Sequence, residues 1–331
     1  MWFCERDANV RGVMMPRWRA ILAVAVAVGA ASGAQAADMP TKAAKAASAP
    51  QSIWDQDKLT GDWGGARTKL ADQGLTFTLN YVNEVFGVVS GGLHRRSSYE
   101  GRLEFSADAD LQKLVGWSGA TAHVTVYNIH NGGHTVVEGS GSIADPSNID
   151  AVPTTRLFTA WFEQSFGDKV SVRLGQLAAD DEFYLSDTAG GLINGTFGWG
   201  NILAANMTNG GPAYPLATPG VRVKVTPADN LTVLAAVFSG DPAGKDCNDD
   251  PQQCNKHGTT FSFSGGSLWM GELQYGVNQG KNAVGLPGMY KLGVWYQTAD
   301  FADERYGLDG AGAQVSLADS TVADPLNHSG N

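Results

Sequence analysis

Arg102-Leu103-Glu104-Phe105-Ser106-Ala107-Asp108-Ala109-Asp110-Leu111-Gln112 changes chemistry at every step. Leu103, Phe105, Ala107, Ala109 and Leu111 form one phase; the charged and polar residues between them form the other. Successive strand side chains point to opposite faces, so this stretch reads as a strand with one apolar and one charged face. The same period recurs outward. Leu75, Phe77, Leu79 and Tyr81 alternate with Thr76, Thr78 and Asn80 upstream. Val170, Val172 and Leu174, then Val221, Val223 and Val225, do so downstream, as do runs from Leu268 and from Met289. Less regular runs at 120–129, 156–166 and 231–238 bring the count to about nine strands. The chain is read as all-β.

Alternation is shared by soluble sandwiches and membrane barrels. Three features favour the barrel. Aromatic residues close the apolar phase at its ends, as in Phe77/Tyr81 and Tyr290/Tyr296. The opposite phase carries charge in strand interiors, which suits a water-filled lumen. Connections alternate between tight (167–169, 226–230) and long (131–153, 240–261), as periplasmic turns and extracellular loops do.

Composition agrees. The 331 residues include 42 glycines, with 17 % charged positions and a net charge of −10. That balance excludes a nucleic-acid partner bound through a basic surface. The longest apolar run, Ala20–Ala31, is shorter than the ~20 residues a membrane helix needs.

The first segment reads as an address. Arg17 and Arg19 precede the apolar run, and Ala34-Gln35-Ala36 follows it, the order of a secretory signal peptide over 1–36, with 1–13 an upstream mis-start. An Ala/Lys-rich tail covers 37–53, and a short helical segment 54–74, which Asp62 is expected to N-cap and Gly74 to end. Residues 75–331 are then a partial β-barrel. Cys247 and Cys254 sit in a polar loop of an exported chain, which favours a disulfide; zinc with His257 as a third ligand is the alternative.

Four stretches resemble the carbohydrate-selective porin family of the OprB type. They are Leu59-Thr60-Gly61-Asp62-Trp63-Gly64-Gly65-Ala66-Arg67; Arg173-Leu174-Gly175-Gln176 continuing to Asp180-Asp181-Glu182-Phe183; Asn194-Gly195-Thr196-Phe197-Gly198-Trp199; and Asn209-Gly210-Gly211-Pro212-Ala213-Tyr214-Pro215. The resemblance runs from about Leu59 to about Ala299 and implies a 16-stranded bacterial outer-membrane barrel that passes sugars by diffusion. About nine strands and no closing aromatic strand are visible here, so the chain reads as a C-terminally truncated member.

Sugar selection needs hydrogen-bonding groups and flat apolar faces around a narrowing. The irregular, aromatic segment 180–219 is expected to fold inward as that narrowing, because irregular backbone at membrane depth must line a cavity. Arg102, Glu104, Asp108, Arg173, Arg222 and Lys224 are the pore-lining candidates on the polar phases, and Trp199 a stacking face. Each charged residue reads equally as part of a solvated ladder on the inner wall. The partners expected are small neutral sugars and outer-membrane lipid; a homotrimer is compatible with the sequence and not fixed by it. No G-x-S-x-G, H-E-x-x-H or Walker A motif occurs, so neither catalysis nor a cofactor is expected. The rival is a secreted, soluble β-rich carbohydrate-binding protein or glycoside hydrolase, which would not need detergent after extraction.

Overall fold

The computed structural model describes Ser52 and residues 56–186, 188–279 and 283–330. The signal segment and all of the Ala/Lys tail except Ser52 lie outside the described residues.

Nine strands form one sheet: β1 (Leu75–Gly87), β2 (Ser97–Asp110), β3 (Ala120–Asn131), β4 (Thr154–Phe166), β5 (Val170–Leu177), β6 (Thr218–Ala228), β7 (Leu231–Ser239), β8 (Ser267–Val277) and β9 (Gly288–Gln297). They pair in chain order, each antiparallel to the next. The fold is all-β and antiparallel, as expected, and the sheet is open, with β1 and β9 paired on one side only among the described residues. Tight connections gather at one end, such as residues 167–169 and the β6–β7 hairpin. The segments 132–153, 178–217 and 240–266 gather at the other.

The two faces invert the order of a water-soluble core. Outward residues are apolar and exposed: Leu79, Leu174, Val221, Val223, Leu273, Leu292 and Val294. Many buried wall residues are polar, among them Glu100, Ser106, Thr125, Thr159, Arg222 and Glu272. Apolar residues outside and satisfied polar groups inside are what a lipid-embedded wall requires.

Three local features differ from the sequence reading. The strand over 156–166 looks irregular because β3–β4 pairing shifts register after Thr125, opposite Phe158. The extra residue changes the phase, so Arg156 and then Thr159, Trp161 and Glu163 share the inner face. Asp62 is the N-cap residue of the 3₁₀ turn Trp63–Gly65 rather than of the helix α1 (Ala66–Asp72), whose N-cap is Gly65. The positive φ of Gly64 and Gly65 inserts a 3₁₀ turn first, and the Asp62 carboxylate accepts from Thr68 N at 2.9 Å and Thr68 Oγ1 at 2.8 Å. Finally, β10 (Asp300–Asp309), β11 (Gln314–Ser316) and β12 (Val322–Ser329) form a separate three-stranded sheet. Polar pairs hold it, His328 Nε2 to Asp303 Oδ2 at 2.7 Å and Ser329 Oγ to Asp300 Oδ1 at 2.6 Å, where the sequence offers no apolar alternation.

The disulfide joins Cys247 and Cys254. Bonded sulfurs are not free for zinc, and His257 Nδ1 lies 3.0 Å from Thr155 O instead. The loop carrying the bond reaches back to β4 and β5: Leu157 N donates to His257 O at 3.0 Å, and Gln176 Nε2 to Gly258 O at 2.8 Å.

Candidate functional site: the inner wall and the segment packed on it

β5 ends at Leu177, and the chain then turns onto the inner face instead of continuing outward. Small residues make the turn possible: Ala178 and Ala179 are buried, and Ala179 N donates to Pro212 O at 2.6 Å, closing the base of the segment. Phe183, Leu203 and Met207 of the segment pack with Leu234, Ala236, Phe238, Leu268 and Met270 of β7 and β8. At the far side of the segment, Thr208 N donates to Gln297 Oε1 at 3.1 Å. Tyr214 N donates to Asp180 Oδ2 at 2.9 Å, and Tyr214 Oη to Ile149 O at 2.8 Å, which ties the β3–β4 loop to the same body.

The pairing register puts Arg102, Glu104, Asp108, Arg173, Arg222 and Lys224 on one face of the sheet, but not in one place. Glu163, Arg173 and Arg222 lie in a row across β4, β5 and β6. Glu163 Oε2 is 2.7 Å from Arg173 Nε and 2.9 Å from Arg222 Nη2. Glu182, from the segment, completes the group at 2.6 Å from Arg173 Nη1 and 2.7 Å from Arg222 Nε. Arg222 also donates to Ser171 Oγ at 2.8 Å, so its donors are used within the protein, and its side chain is 2 % exposed. Arg173 lies over the Trp161 ring at 3.7 Å. Two cations and two anions this close neutralise one another, and the carboxylates offset the like charge of the facing arginines.

Asp108 belongs to another station, where its Oδ1 meets His123 Nδ1 at 2.6 Å and the imidazole stacks on Trp161. Lys224 is exposed, two residues along β6 from Arg222. His130 Nε2 meets Tyr81 Oη at 3.0 Å, and His134 Nε2 meets Ser97 O at 3.0 Å.

Arg102 and Trp199 come together around a cavity of about 660 Å³ between β1–β3, the β3–β4 loop and the inward segment. The Arg102 guanidinium lies 4.8 Å from the Tyr127 ring and 5.2 Å from that of Tyr214, with Glu104 Oε2 at 3.6 Å. Trp199 Nε1 donates to Gly210 O at 3.1 Å, which fixes its indole. Glu84, Asp145, Asp150, Asp180 and Asp181 also line the space. Burial, and then the neighbouring acidic charges, raise the carboxyls of Asp145 and Asp150 above the usual aspartate range. Asp180 is raised chiefly by burial, against the pull of the Tyr214 amide; Asp181 faces the cavity and is raised by the surrounding wall and by Asp180.

Glu163, Asp145, Asp150 and Glu84 are site residues that the sequence does not mark as such. Glu163 stands on the inner phase of its strand, but the shift at Phe158 hides that phase. The loop aspartates carry no periodic signal.

The model of the carbohydrate-selective porin, OprB family, matches residues 94–331. The putative porin QuiX of Acinetobacter baylyi is 28 % identical over 278 residues, 76 % of this chain and 58 % of that protein. Porin B of Pseudomonas aeruginosa is 28 % identical over 302 residues, 86 % of this chain and 59 % of its own length. The high-pH structure of Pseudomonas putida OprB superposes with a TM-score of 0.69 at 25 % identity, covering 85 % of this chain and 64 % of that one. The chain thus spans about three fifths of the length of the curated relatives it matches. Matched over well more than half its length, the chain belongs to the carbohydrate-selective porin, OprB family, of bacterial outer-membrane β-barrels.

Proposed function

We propose that the barrel to which this chain contributes is a channel for passive, carbohydrate-selective diffusion of small neutral sugars across the outer membrane. The observation that carries this reading is one cavity of about 660 Å³ that joins a guanidinium, carboxylates and aromatic rings. Arg102 offers planar donors to vicinal hydroxyls, Asp180 and Asp181 offer acceptors, and Trp199 and Tyr214 offer flat faces to the C–H surfaces of a pyranose. The segment 180–219 narrows the lumen, and residues 1–36 direct export. Binding is weak, in the millimolar range of ~4 kcal/mol, because a channel must release what it binds.

Against the soluble reading stand Leu174, Val221, Leu292 and Val294, exposed on one face of the sheet, where lipid would cover them. The test is planar-bilayer recording of the complete barrel that contains this chain. Discrete channels whose current falls on adding millimolar glucose are expected. A protein that stays soluble without detergent and opens no channels would refute the proposal.

A further inference from the structure

Glu182, Phe183 and Tyr184 follow one another in the inward segment, and each engages a different part of the wall. The Glu182 carboxylate bridges Arg173 of β5 and Arg222 of β6 at 2.6 and 2.7 Å. Phe183, 1 % exposed, meets Phe238 of β7 edge-on at a centroid distance of 6.2 Å and packs with Leu268 and Met270 of β8. The Tyr184 amide donates to Glu272 Oε2 of β8 at 2.6 Å. Lys291 of β9 closes the far side, 3.8 Å from Glu272 Oε1 and donating to Leu185 O at 2.7 Å. Three adjacent residues therefore make an ionic, an apolar and an amide contact that together reach four consecutive strands, and Leu185 O extends the hold to β9.

Their position gives the contacts a consequence. Glu182 does not line the large cavity; it faces the small space among Arg173, Arg222 and Phe238. Asp180 and Asp181, immediately before it, do line the cavity, as do Leu192 and Trp199 after it. The base of the segment is pinned separately, by Ala179 N on Pro212 O and Tyr214 N on Asp180 Oδ2, so the Glu182 contacts bear on the part of the segment beyond that base.

We propose that Glu182, Phe183 and Tyr184 form one anchor that holds the inward segment at a fixed depth and so sets the aperture met by a permeating sugar, with Glu182 as its positioning residue. This rests on the channel reading. Glu182 makes no contact with the sugar; it acts through where Asp181 and Trp199 stand.

The experiment compares the parent barrel with Glu182→Gln and Glu182→Asp in planar bilayers, with glucose as the probe. Heat-modifiable migration on gels serves as the control for assembly. Glu182→Gln is expected to give a noisier, altered open-channel current and glucose block weakened at least about fivefold. Glu182→Asp retains the charge on a shorter stem and is expected to fall between the two. Unchanged conductance, noise and block in Glu182→Gln would overturn the anchor. If Glu182→Gln does not assemble, the charge-balanced Glu182→Gln/Arg222→Gln pair takes its place and is judged the same way. If neither assembles, Glu182→Asp decides, and parent-like behaviour overturns the proposal. A parent that conducts but is not blocked by glucose refutes the sugar reading alone, because conductance and noise still judge the anchor.

Discussion

Arg173 and Arg222 stand directly opposite one another across β5 and β6, and both reach the same oxygen of Glu163, at 2.7 and 2.9 Å. Two guanidiniums on neighbouring strands are tolerated only because Glu163 from the wall and Glu182 from the inward segment supply equal and opposite charge. From the sequence, both arginines read as donors to sugar. In the structure every guanidinium nitrogen of Arg222 is bonded within the protein and the side chain is buried, whereas Arg102 retains a face toward the open cavity.

Arg222→Ala is therefore expected to act on assembly before it acts on transport. Removing one member of a buried ionic group leaves its partners uncompensated, at a cost of about 3–5 kcal/mol. The temperature at which the folded band converts to the unfolded one on gels is expected to fall markedly. Lys224→Ala, an exposed change two residues away, leaves that temperature unaltered. Equal temperatures for the two variants would contradict the buried role.

Arg102→Ala is expected to weaken glucose block by about tenfold, the scale of one lost charge-assisted hydrogen bond, with folding little changed. Arg102→Lys restores the charge but not the planar fork and is expected to recover little of the block. Sugar titration of the open-channel current measures both. Full recovery by lysine would mean that charge alone mattered.

The period-two pattern carried the sheet because it records which side meets lipid, and each strand is written locally. The same locality made the inner phase of Arg102, Arg173 and Arg222 legible. It could not show which charges meet, since the Glu182–Arg222 contact joins a loop to a strand 40 residues away. Phe158 is a local irregularity that hid Glu163 by changing the phase midway through β4. The sheet of β10–β12 escaped for a different reason: Asp303, Asp300 and His328 stabilise it through polar side-chain pairs that leave no hydrophobic period.

Loss of the Cys247–Cys254 bond is expected to loosen a loop and spare the barrel. The bond closes a small ring worth ~2–3 kcal/mol in the chain-entropy account. Within that ring Gln252 accepts from Val152 N at 2.8 Å, linking the loop to the approach to β4. Cys247→Ser/Cys254→Ser is expected to become sensitive to protease within residues 240–266 while heat-modifiable migration persists. Cleavage no faster than in the parent would show that contacts other than the bond hold the loop.

The β3–β4 loop is expected to lose stability as pH rises, the reverse of a carboxylate held by a salt bridge. Asp150 is raised from its ordinary 3.8 to about 8, first by burial and then by the charges of Asp145 and Glu100; a hydrogen bond with Thr135 opposes this. Asp145, facing Glu84, is raised in the same sense. Below pH 3.8 the Asp150 carboxyl is protonated whether the loop is packed or open, so its pH-linked term vanishes. Between 3.8 and about 8 the open loop releases a proton that the packed loop retains, so packing weakens with every step upward. Above that window the loss is complete and levels off. Amide exchange across residues 141–153, corrected for the intrinsic pH dependence of exchange, is therefore expected to report stronger protection at pH 5 than at pH 9. Asp150→Asn removes the titrating proton and is expected to flatten most of that slope, leaving the part due to Asp145. Protection that rises with pH in the parent, or a slope unchanged in Asp150→Asn, would assign the control of this loop to other groups.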